Sequence, residues 1–158
     1  MSGILQDNYW FSADAGGGGF TVGNSLRFRG AQYLGGPDLL RVTQTVNAAY
    51  PTQLATASVY RDPNAWYHVL VAFDGTQTGF DRVKLYINGA QVPFTGNANS
   101  TTWWFQNNPI TVGRHPANFS YLSGYLSECH FVDGQALSPT DFGEYNADGV
   151  WVPKKYEG

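Results

Sequence analysis

Glu128 and His130 stand two residues apart, so on an extended strand both side chains would project from one face. A carboxylate in such a place invites comparison with glycoside hydrolysis, which needs two carboxyl groups flanking the bond, one as acid and one as base or nucleophile. The same-face neighbours of Glu128 are Leu126 and His130, so no second carboxylate stands beside it. A structural hydrogen bond between Glu128 and His130 fits this pattern better than catalysis. Nucleophilic chemistry is no better served: His68, His115 and His130 are the only histidines, and no Gly-x-Ser-x-Gly elbow occurs. His68 shares an expected strand face with Trp66 and Leu70 and reads as a core histidine. His115 precedes Pro116 in a loop. The chain is expected not to be an enzyme.

Binding chemistry is better represented. Trp103 and Trp104 are adjacent, so in an extended segment they face opposite ways; one can join the core with the other outward, or both can be packed in the core. An outward indole can stack on a sugar ring or anchor a neighbouring subunit. His115, Phe119 and Tyr121 follow in a loop and join the two tryptophans as candidate glycan or subunit contacts. Tyr9, Trp10 and Phe11 form a second aromatic group, expected to serve assembly. Asp74, Asp81 and Asp133 sit at expected strand ends, where aspartate ordinarily caps a turn. No Asp-x-Asp-x-Asp loop of the kind that cages calcium is present. The single cysteine, Cys129, excludes an intrachain disulfide and a cysteine-based zinc site, and reads as a small buried hydrophobe. No cofactor is expected.

Short strands must position these residues. Ser25–Phe28, Ala31–Leu34, Leu39–Thr45 and Ala55–Tyr60 alternate or carry β-forming residues. Trp66–Phe73 is apolar on both faces, which predicts a central strand covered on both sides. Asp81–Phe94 reads as a hairpin closed by Asn88-Gly89, with Val83, Leu85 and Ile87 on one face and Arg82, Lys84 and Tyr86 on the other. Thr95–Thr102 is small and polar and is expected to be a loop. Strands are expected again at Pro109–Gly113 and Gly124–Val132, and one short helix near Ser138–Glu144, with Ser138 as cap and Pro139 in its first turn. The tail from Gly149 is expected to pack back as a strand-like strap. Ahead of all this, residues 1–22 read as an amino-terminal arm whose Gly16–Gly19 run makes a hinge. Residues 23–158 then form one all-β antiparallel sandwich.

Composition agrees. Charged residues are only 13% of the chain, so Asn, Ser, Thr, Gln and Tyr must cover much of the surface. The net charge is −3 and no basic stripe occurs, which argues against a nucleic-acid partner. No apolar stretch approaches a membrane span. No signal peptide is apparent at the amino terminus, so synthesis in a cytosol is expected.

Three stretches taken together carry a resemblance: Tyr60-Arg61-Asp62-Pro63-Asn64-Ala65-Trp66-Tyr67-His68-Val69, then Asp81–Gly89 with Val83-Lys84-Leu85-Tyr86-Ile87-Asn88-Gly89, then Gly124–Pro139 with His130-Phe131-Val132-Asp133-Gly134-Gln135-Ala136-Leu137. Their order resembles concanavalin A-like, laminin-G-like jelly-roll domains over roughly Ala55 to Lys155, in the version found in tailed-bacteriophage virion proteins. The resemblance implies a virion structural protein made in the host cytoplasm: a head decoration, fibre or tail-fibre component. Its implied partners are sister subunits in a homo-oligomer and other virion proteins. Cell-surface glycans, bound by a lectin module, are the alternative. The resemblance also implies calcium as a candidate ligand for Asp74, Asp81 and Asp133. One departure matters. Only Gly35–Asp38 separates Leu34 from Leu39, where the family has further strands, which implies a smaller sandwich or an edge covered by another subunit.

Overall fold

The computed structural model describes residues 8–14, 22–28, 39–46, 49–60, 62, 64–100, 110–115 and 121–158; within β1 and β2 it describes the side chains of Ser12 and Leu26 alone. The strands are β1 (Asn8–Asp14), β2 (Val22–Phe28), β3 (Leu39–Val46), β4 (Ala49–Val59), β5 (Val69–Phe73), β6 (Val83–Ile87), β7 (Ala90–Gln91), β8 (Phe94–Ala98), β9 (Ile110–Val112), β10 (Gly143–Tyr145) and β11 (Trp151–Pro153). They form a six-stranded sheet in the order β8-β4-β3-β2-β1-β9, a three-stranded sheet β5-β6-β7 and a two-stranded ribbon β10-β11. Every pairing is antiparallel. No helix of the described residues is long and apolar enough to cross a membrane.

One core joins the first two sheets. Leu26, Leu40, Val42 and Leu54 come from the large sheet, and Val83, Leu85 and Ile87 from alternate positions of β6, with Ala98 at the rim. Burying each of the large side chains contributes about 1.5–3 kcal/mol relative to exposure. Tyr60, Tyr67, Val69, Val71, Phe73 and Phe94 close the sides of this core. The molecule is therefore the all-β sandwich that the alternation predicts.

The hairpin forms as expected. Asn88 and Gly89 have φ of 49° and 79°, the left-handed pair that a tight two-residue turn demands. β3 is buried on both faces: Leu40 and Val42 face the core, while Arg41 and Thr43 are buried on the other side. Arg82 donates from Nη1 to the Ala98 carbonyl at 3.3 Å, tying the start of β6 to the end of β8.

Several expectations are corrected. Residues 8–14 of the expected arm are a full sheet strand between β2 and β9. The Ser12 hydroxyl is buried and donates to the Arg114 carbonyl at 2.6 Å, which fastens β1 to the end of β9. Tyr9, Trp10 and Phe11 lie on this strand, with Trp10 at a bulge where the register against β2 shifts. The hinge Gly16–Gly19 and the expected strand Ala31–Leu34 lie outside the described residues. The expected central strand Trp66–Phe73 starts only at Val69 and, among the described strands, sits at the edge of its sheet. Thr95–Thr102 was expected as a loop, but Phe94–Ala98 pairs with β4 through the backbone ladder, which does not require apolar side chains. Gly124–Val132 forms no strand; Glu128 adopts φ of 51°, which turns the chain and ends side-chain alternation. Cys129 on this segment is exposed rather than buried. The helix expected near 138–144 is only a three-residue 3-10 turn, Pro139–Asp141. The Ser138 amide and hydroxyl both donate to Asp141 Oδ2, the amide bond being the carboxylate half of a capping box, but the next residues leave the turn for β10.

Candidate functional site

The second face of β5 and β6 points away from the core. Strand alternation puts Ala72, Lys84 and Tyr86 there, opposite Val83, Leu85 and Ile87. The segment Ala136–Ser138 forms a facing wall, and the turn after β5 supplies Asp74 and Gln77. Asp81 and Arg82, from the 3-10 turn Gly79–Arg82, complete a cleft of about 400 Å³. Two carboxylates, two cations, a phenol, an amide and a hydroxyl thus surround one small space. Such a lining offers hydrogen-bond donors and acceptors to a polyhydroxylated ligand, and one aromatic face.

Asp74 is spoken for by its own turn. Its Oδ1 accepts from the Thr76 amide at 2.9 Å and the Thr76 hydroxyl at 2.6 Å, and its Oδ2 accepts from Gln77 Nε2 at 3.1 Å. The Thr76 hydroxyl, followed by the Thr76 amide, holds the carboxyl below its ordinary pKa. Calcium, which wants six or more oxygen ligands, is not fitted by this arrangement. Asp74 and Asp81 share the cleft, Asp133 does not line it, and no group of three His, Cys, Asp or Glu side chains that could hold a metal ion occurs among the described residues.

A second cluster lies where the β10–β11 ribbon meets the rest. The Trp151 ring is 5.6 Å from that of His68, and Tyr145 meets Trp151 edge-on at 4.9 Å. Phe142 lies between the two histidines, 6.5 Å from His68 and 5.4 Å from His130, and stacks on Tyr156 at 4.9 Å. The chain after the 3-10 turn is therefore a carboxy-terminal clasp, held mainly by rings. Burial, then the neighbouring His130, lowers the pKa of His68, whose Nδ1 is buried without a hydrogen-bond partner among the described residues. His68 is thus half-buried at the clasp, and the satisfied core histidine expected from sequence is corrected. His130 Nε2 lies 3.7 Å from Glu128 Oε2, so the expected polar pair exists, though on a coil segment and not on a sheet face.

Of the contact residues named from sequence, only His115 and Tyr121 are among the described residues. Trp103, Trp104 and Phe119 lie outside the described residues. Tyr121 is exposed. His115 is buried, at 7% exposure, one residue after the Arg114 carbonyl that accepts from the Ser12 hydroxyl. Gln77, Arg82, Lys84, Tyr86 and Ser138 were not singled out, although the outward alternation of Lys84 and Tyr86 along β6 was visible in the sequence.

Two antiparallel sheets enclosing one core define a jelly-roll sandwich. A laminin-G-type family model, described as the concanavalin A-like lectin/glucanases superfamily, matches residues 5–141. The chain belongs to this superfamily. The match begins before β1, in keeping with β1 as part of the sheet. No curated protein matches the chain significantly, and no solved structure does.

Proposed function

We propose that the chain is a non-enzymatic structural protein of a tailed-phage virion, a head decoration, fibre or tail-fibre component that assembles with sister subunits and other virion proteins. The exposed run from Tyr121 to Phe131 supports this most. Tyr125 is 89% exposed and Tyr121, Leu126 and Phe131 are exposed with it. Ile110 and Val112 on β9 are exposed too, and the Leu122 amide donates to the Gly113 carbonyl at 2.8 Å, so the run starts beside that strand. Large exposed apolar patches on a soluble domain mark places that meet another surface. The charge-poor, amide- and hydroxyl-rich composition suits a broad interface.

Light scattering on the full chain tests assembly. A multimer that dissociates in a Tyr125→Ser/Phe131→Ser variant is expected. A monomer at every concentration, together with its absence from purified particles by mass spectrometry, would overturn the proposal.

A second reading, a lectin module for surface glycans, is favoured by the cleft at Tyr86. Its mixed donors and acceptors suit sugar hydroxyls, and Tyr86 can stack on a ring face. Glycan-array binding that survives Tyr86→Ala would place any sugar site elsewhere; no binding at all would remove this second reading.

A further inference from the structure

Asn88-Gly89 is the only Asn-Gly step in the chain. Such a step can react with itself. The Gly89 nitrogen attacks Asn88 Cγ and forms a C–N bond. The side-chain nitrogen leaves as ammonia, carrying the proton from the Gly89 amide, and a succinimide ring remains. Water then opens either carbonyl of that ring to give aspartate or isoaspartate. Glycine allows the attack because no β-carbon shields its nitrogen.

Here Asn88 is held by hydrogen bonds and Gly89 is covered. The His68 amide donates to Asn88 Oδ1 at 2.8 Å, and the Asn88 amide donates to the His68 carbonyl at 2.9 Å. The side-chain amide must swing out of that bond before Cγ can meet the Gly89 nitrogen. The Tyr145 hydroxyl donates to the Asn88 carbonyl at 3.1 Å. The Trp151 ring covers Gly89 so closely that even a β-carbon would not fit. Two of these restraints, Tyr145 and Trp151, belong to the clasp. They are separated from Asn88 by more than fifty residues of chain, so they act only while the clasp is docked.

We propose that Asn88 is a latent modification site, kept from succinimide formation by the docked carboxy-terminal clasp. Conversion places a carboxylate, or an extra backbone methylene, in the tightest turn of the small sheet. Either change works against the seat of Trp151. The reaction therefore runs in one direction: an opened clasp exposes the turn, and a converted turn weakens the clasp.

Peptide mapping by mass spectrometry, with isoaspartate detection, tests this on the full chain in mildly alkaline buffer. Folded protein is expected to convert Asn88 at least roughly tenfold more slowly than the same protein in urea. Tyr145→Phe, which removes one hydrogen bond, is expected to speed conversion by roughly two- to tenfold. Trp151→Leu should bring the rate closer to that in urea while the amides of β6 stay protected from hydrogen exchange. If that variant loses β6 protection, the comparison between wild type and Tyr145→Phe decides. Equal rates for Asn88 in folded and urea-treated protein would overturn the proposal. So would clasp variants that keep β6 protection and convert at the wild-type rate.

Discussion

The indole of Trp151 lies against Gly89 at the tip of the β6–β7 hairpin, and the same ring faces Gly143 on the neighbouring strand of its own ribbon. Neither glycine could carry a β-carbon without entering the ring. The two glycines form a slot that seats the clasp. Gly143→Ala is therefore expected to destabilise by about 1–3 kcal/mol through overpacking. Gly89→Ala should lose more, because its φ of 79° adds backbone strain. Urea unfolding followed by tryptophan fluorescence measures both; variants as stable as wild type would mean that Trp151 does not occupy the slot.

Gly96 on β8 has φ of 126° and faces the backbone of β4, where an added β-carbon would run into the Gln53 carbonyl oxygen. A backbone atom cannot swing aside as a side chain can. Gly96→Ala is expected to cost about 3–4 kcal/mol, placing it among the severe single changes. Hydrogen exchange should localise the loss to β4 and β8, and a uniform loss across both sheets would contradict this.

The pH dependence follows from His68. Its folded pKa lies below the ordinary value of 6.5, because burial, then His130, disfavours the charged ring. The unfolded chain therefore takes up the proton first as pH falls. The contribution to stability is fully present above about pH 6.5 and is lost as pH falls through the folded pKa. The groups around it are His130 with Glu128 on the coil segment, Trp151 and Tyr145 on the ribbon, Phe142 and Tyr156 on the clasp, and Asn88 on the hairpin. The urea midpoint of wild type should fall between roughly pH 7.5 and 5 more steeply than that of His68→Leu. Identical slopes would remove His68 as the cause.

Leu85 sits at the centre of β6 in the shared core. Leu85→Ala is expected to cost about 2–5 kcal/mol, depending on how far the two sheets close over the cavity. Calorimetry measures this directly, and a change below about 1 kcal/mol would mean that the sheets do not pack through β6.

The parts of the fold legible in the sequence are those in which side-chain pattern and backbone demand coincide. Val83, Leu85 and Ile87 alternate, and Asn88-Gly89 meets the φ requirement of the turn, so β6 and its hairpin could be read directly. β8 could not, because Thr95, Gly96 and Asn97 are held by the β4 ladder and by Asn97 Oδ1 accepting from the Gln53 amide at 2.8 Å. β1 was hidden by the neighbouring glycine run, which draws attention to a hinge when the strand itself is fixed by distant β2 and β9. The residues 124–132 misled in the opposite sense: their composition suits a strand, but Glu128 takes a left-handed conformation that composition does not announce.

The candidate cleft was half legible. Lys84 and Tyr86 stand on the outward face of a strand that alternation predicts, and Asp74 and Asp81 were singled out for their places at strand ends. The facing wall at Ala136–Ser138 lies about fifty residues farther along the chain, and no local pattern links it to β6. The clasp shows the same limit. Trp151 is plain in the tail, but only the fold shows that its seat is made by two glycines.

One edge of the large sheet, among the described strands, is β9, a pairing of only three residues. So short a ladder presents few free amides and carbonyls to a passing strand, which makes it a poor seed for cross-β fibre growth. Fibre growth is therefore expected to start less readily from β9 than from β8, the opposite edge, whose five-residue pairing offers the longer template.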